Sequence, residues 1–89
     1  MKRDPFAGQL DATRRAILKH LSSRGGHFVS HAEVRAMPAY RSHLAIVEIA
    51  AVEGGHVTDA HRAVGRGPSA LAAMNAALQE LLAQIRAGR

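Results

Sequence analysis

The chain has 89 residues, no cysteine, and twelve Lys and Arg against seven Asp and Glu, a formal net charge of +5. That length allows one domain with a modest core, and the missing cysteine excludes disulfide frameworks, thiolate metal sites and cysteine nucleophiles together. No apolar run approaches the ~18 residues of a membrane span, and no hydrophobic leader follows Met1-Lys2-Arg3-Asp4-Pro5, so a cytoplasmic protein without membrane association is the expectation.

Taken in chain order, residues 1–9 read as a flexible basic arm, because Pro5 and Gly8 discourage regular structure, and residues 10–89 read as a single helical domain. Asp11 is placed to cap a helix that runs to about Arg24, with Leu10, Ile17, Leu18 and Leu21 inward and Arg14, Arg15 and Lys19 outward. Gly25-Gly26 supplies its stop. Ser30 and Glu33 then have the spacing of a capping box, flanked by Val29 and Val34 as a hydrophobic staple, which predicts a short helix from His31 to Met37 ended by Pro38.

The run from His43 to Glu53 has no face that a solvated helix could show to water, since Leu44, Val47 and Ala51 form one stripe and Ile46, Ile49, Ala50 and Val52 cover most of the rest. It is expected to be the hub helix of a bundle, terminated by Gly54-Gly55. The theme then returns: a glycine pair and His56 are followed by Val57, Thr58 and Val64 as His27 is by Val29, Ser30 and Val34, so Thr58 takes the capping place of Ser30. Gly65-Arg66-Gly67-Pro68 makes a turn into a last helix, from about Pro68 to Arg86, with Leu71, Met74, Leu78, Leu81, Leu82 and Ile85 as its apolar stripe. The sum is an all-α fold: a compact bundle of about five helices containing two overlapping helix-turn-helix-like tri-helical units.

Charge is distributed unevenly along this chain. From Met1 to Arg41 eight basic residues face three acids, while from Ser42 to Arg89 four face four, so the whole excess lies in the first half, as a surface that meets a polyanion requires. In the second unit, Thr58 to Val64 would brace, Gly65 to Pro68 would turn, and the helix from Ser69 would enter a major groove. Arg62, Arg66 and Ser69 stand at that turn. Arg14, Arg15, Lys19, Arg35 and Arg41 complete a set suited to holding phosphates, with Tyr40, Ser42 and His43 adding donors beside Arg41. Ala72, Ala73, Ala76 and Ala83 give the last helix a smooth face that specifies little sequence and suits helix-to-helix dimerisation.

The residues Val57-Thr58, Arg62-Ala63-Val64, Gly65-Arg66-Gly67 and Ser69, within Ile46 to Leu82, resemble the helix-turn-helix of KfrA-like plasmid DNA-binding domains. That resemblance implies DNA binding in a mobile-element setting. It covers under half the chain, and the long coiled-coil tail usual in that family is absent from this sequence.

Six histidines include His27 and His31 at H-x3-H spacing and His56 and His61 in the equivalent place, yet no cysteine or aspartate completes a zinc set at the first pair, and their expected role is to donate to helix-terminal carbonyls. Glu48, alone on the hub, has no evident catalytic partner. No cofactor, no metal and no enzymatic activity are expected. The expectation is a homodimeric regulator of a mobile element or bacterial operon that binds double-stranded DNA through a helix-turn-helix, and the alternative is a small phage or plasmid inhibitor that docks on an acidic host protein.

Overall fold

In the computed structural model, which describes residues 5–22 and 27–87, the chain runs α1 (Pro5–Ser22), β1 (His27–Met37), β2 (Ser42–Glu53), β3 (His56–Gly67) and α2 (Ala70–Arg86). The strands form one antiparallel sheet in the order β1-β2-β3. The all-α bundle of about five helices is therefore corrected to an α+β fold with two helices. Neither helix-turn-helix-like unit exists, because the segments expected to brace them, His31–Met37 and Thr58–Val64, lie in β1 and β3.

The hub explains the difference. A continuous apolar run suits either a buried helix or the middle strand of a sheet, which is flanked on both edges and covered on at least one face. Here Ile46, Val47, Ile49 and Val52 are β-branched and settle on the pleated alternative. Gly54 and Gly55 have φ of 58° and 79°. Two successive positive φ values are what a two-residue hairpin of the I′ type requires, so this glycine pair turns β2 into β3 and terminates no helix. The expected stop at Gly25-Gly26 and residues 1–4 of the expected arm lie outside the described residues, while residues 5–9 of that arm belong to α1.

Register fixes two faces. His31, Glu48 and Arg62 form one row across the sheet, Glu33, Ile46 and Val64 the next, and Arg35, Leu44 and Arg66 a third. All point away from the helices, whereas the alternate residues Ala45, Val47, His61, Ala63 and Gly65 are buried beneath them. Near the hairpin the register shifts between Ala51 and Val52, whose partners are Asp59 and Val57, leaving Thr58 as the extra residue of a bulge. Ser30 and Thr58, expected as helix caps, are thus a strand residue and a bulge residue.

The core lies between α2 and the β2–β3 half of the sheet, with α1 packed on α2. A Cβ at Gly65 would collide with the backbone of α2 at Ala73 and Ala77, and one at Gly67 would lie 2.7 Å from the Ala72 Cβ. Those two glycines and the facing alanines let the helix settle directly on β3. Ser69 caps α2, its Oγ accepting from the Ala72 amide at 3.2 Å. Leu78, Leu81 and Ile85 are buried on the expected stripe, while Ala72 and Ala73, part of the face assigned to dimerisation, are buried too and Ala83 of that face is exposed. The other helix starts at Pro5, ahead of Asp11, so Asp11 is not its cap. It buries Leu10, Ile17 and Leu21 as expected, but Leu18 is 63% exposed. Asn75 Nδ2 donates to Gln9 Oε1 at 2.9 Å and ties the two helices together.

Candidate nucleic-acid interface

The eight residues expected to hold nucleic acid fall into two groups on different layers. Arg14, Arg15 and Lys19 are exposed on α1. Arg35, Arg62 and Arg66 stand on the open face of the sheet, with Arg41 at the turn beside them and Ser69 committed to capping α2. Helix α2 lies against β3 and α1, and the segment before it is strand β3, so no bracing helix precedes it as in a helix-turn-helix.

Within the sheet group the cations are not equivalent. Arg62 Nε lies 3.3 Å from Glu48 Oε1 across the β2–β3 register, and Arg35 pairs with Glu33 two residues away on its own strand. These pairs are exposed and contribute only about 0–1 kcal/mol to stability, but they cancel charge locally. Arg41 and Arg66 are exposed, and neither has a carboxylate partner among the described residues. The pairing of Arg62 was invisible in sequence, because Glu48 and Arg62 meet only through the register.

Both unpaired arginines belong to one end of the molecule. Pro38–Tyr40 forms a single 3-10 turn, after which Arg41 takes up the left-handed conformation, φ 49° and ψ 41°, with its amide donating to the Pro38 carbonyl at 3.1 Å. Such a residue makes the bend that carries β1 into β2, and an arginine there is held in a region that costs a side-chain-bearing residue about 1–2 kcal/mol. Arg66 is in the row of Arg35 and Leu44, two strand spacings or about 10 Å from Arg35. Between the turn and Arg66 lies a recess of about 300 Å³ lined by Met37, Tyr40, Ser42 and Arg66. Tyr40 is 74% exposed.

The same end carries the start of α2. His43 is the register partner of Gly67, and two residues further on Ser69 begins the helix, so the first amides of α2 add their partial positive charge there. The His43 Nδ1 is buried without a hydrogen-bond partner among the described residues. Arg35, Arg41 and Arg66 therefore share this end with a helix N-terminus, against Glu33 as the one acid in the adjoining rows.

The remaining histidines do not converge. His31 faces Glu33 at 3.9 Å on the open face, while the buried His61 meets Asp59 at 3.1 Å on the helix side. Among the described residues no three of His, Cys, Asp and Glu are grouped to hold a metal ion. Among the same residues no helix is long and apolar enough to cross a membrane. No Phe, Tyr or Trp side chain stands in the described open-face rows of the sheet. The residues that carried the KfrA resemblance, Val57 to Gly67, make up most of β3. No protein-family model, no curated protein and no solved structure matches the chain.

Proposed function

We propose that this protein is a small cytoplasmic DNA-binding regulator that grips the phosphate backbone of a duplex with the arginine-bearing end of its sheet. The observation that carries this reading is the pair Arg41 and Arg66, exposed, without carboxylate partners among the described residues, and gathered beside the N-terminus of α2. Phosphate contacts hold and orient a protein without reading sequence. Specificity is accordingly low, since the contacts proposed here go to phosphates and not to base edges.

Fluorescence anisotropy with a labelled random duplex across a salt series tests this. Wild-type affinity is expected to fall steeply with salt, and Arg66→Ala to lower the slope by about one unit. Arg41→Gly separates binding from folding. It is expected to weaken binding similarly while raising stability by about 0.5–1 kcal/mol, because glycine accepts a left-handed φ without strain. Absence of binding at low salt, or an Arg66→Ala slope equal to the wild type, overturns the proposal. A second reading, an interaction module for an acidic protein, draws on the same exposed cations and predicts no duplex binding at any salt.

A further inference from the structure

We infer that two copies of this chain pair through the outer edges of their β1 strands, antiparallel and centred on Ala32, to form a continuous six-stranded sheet. The inference stands independently of the DNA reading.

Strand β1 is eleven residues long, twice a common strand, and lies at the edge of the sheet. Edge strands are normally protected by proline, by a bulge, by an inward-pointing charge or by a covering element. Between His27 and Met37 there is no proline, and the pairing with β2 is unbroken along its whole length. Its helix-side row, Phe28, Ser30, Ala32, Val34 and Ala36, holds no charge. Nor is that row covered: Ser30, Ala32, Val34 and Ala36 are exposed, and Leu18 of α1 stands exposed above a groove of about 280 Å³ that Ile17, Leu18, Ala32, Val47 and Met74 help to line. By contrast, the other edge is partly occupied, because Gln84 Nε2 of α2 donates to the Arg62 carbonyl of β3 at 2.9 Å.

The charges on β1 choose a second copy as the occupant. A two-fold axis perpendicular to the sheet keeps both helical layers on one side, and it pairs residues of like parity so that each faces a partner on the same side. Centring on Ala32 aligns the strand from His27 to Met37 in full. Glu33 then meets the copy's His31, and the copy's Glu33 meets His31, giving two opposite-charge contacts by symmetry when the histidines are protonated. A register centred on Glu33 would place the two carboxylates opposite each other. On the helix side the central pairs are Ala32 with its copy and Ser30 with the copy's Val34, and the exposed Leu18 side chains lie over the new central strands. Full pairing also puts the two turns that carry Arg41 at opposite ends, about 34 Å apart along the strands and with their open faces on one side. That is close to one turn of a duplex.

Light scattering and cysteine crosslinking, both without nucleic acid, test the pairing. The wild-type protein is expected to give twice the 9.5 kDa mass of the chain at tens of micromolar. Because the sequence has no cysteine, Ala32→Cys is expected to form a disulfide dimer on oxidation while Tyr40→Cys does not. Ala32→Lys, which sets two lysines opposite each other at the axis, is expected to leave a folded monomer by circular dichroism. A monomeric wild type across this range, or a dimer that Ala32→Lys leaves intact, overturns the inference. Crosslinking through Val34→Cys but not Ala32→Cys overturns the register.

Discussion

The two flanking strands of this sheet meet the helical layer in opposite ways. Over β3 the inward row is His61, Ala63, Gly65 and Gly67, and α2 comes down until glycine hydrogens are all that fit beneath it. Over β1 the inward row is bulkier and more apolar, with Phe28 and Val34, yet most of it is exposed. Hydrophobicity thus does not by itself decide which strand is covered. Small residues on both sides of one interface permit close approach, close approach tips the helical layer toward β3, and the layer stands off over β1. One side is closed by packing and the other is left available for association.

Breaking the closed side has the largest consequence. Gly65→Ala drives a methyl group into the backbone of α2 and is expected to cost about 3 kcal/mol, whereas Ala36→Val on the open side adds bulk into space and is expected to change stability by less than about 0.5 kcal/mol. Denaturant unfolding of both variants measures the contrast. Equal effects would mean that the helix is free to shift. The two helices offer a second version of it. Ile85 is 0% exposed and Ile85→Ala is expected to cost about 3 kcal/mol, while Leu18→Ala, at 63% exposure, is expected to cost under about 0.5 kcal/mol in the monomer. A larger loss for Leu18→Ala at high protein concentration would report its burial in the pair of copies. A loss smaller than those of the buried positions sharpens the role of the β3–α2 junction. Ser69→Ala removes the cap that receives the Ala72 amide and is expected to cost about 1 kcal/mol. A loss of duplex affinity beyond that attributable to unfolding would give Ser69 a phosphate contact as well.

Much of the misassignment of the middle of the chain traces to signals that have two physical meanings. Ser30 and Glu33 have the spacing of a capping box, but the stretch Ala32-Glu33-Val34-Arg35-Ala36 also alternates with period two, and alternation is what a half-buried strand needs. A glycine pair stops a helix or makes a two-residue hairpin, and β-branched residues on one side with His56-Val57-Thr58 on the other favour the hairpin. The Gly-Gly-His theme at its second occurrence joins β2 to β3 through a hairpin, where a helix stop and a short capped helix were expected. Of the candidate site, the basic residue types were legible, but their grouping was not. Arg62 and Arg35 are partnered through register and strand geometry, and Arg41 and Arg66 are brought to one end by a turn and a strand that no local pattern joins.

The sequence by itself determined the two helices, through the stripes Leu10-Ile17-Leu21 and Leu78-Leu81-Ile85, because these depend on residues within a few turns of one another. The β-branched residues of the run from Leu44 to Val52 favour a strand, but tertiary structure completed it, since its backbone hydrogen bonds go to β1 and β3, segments distant in sequence. The same non-local pairing decided which arginines keep their charge unpartnered and left the long edge of β1 open.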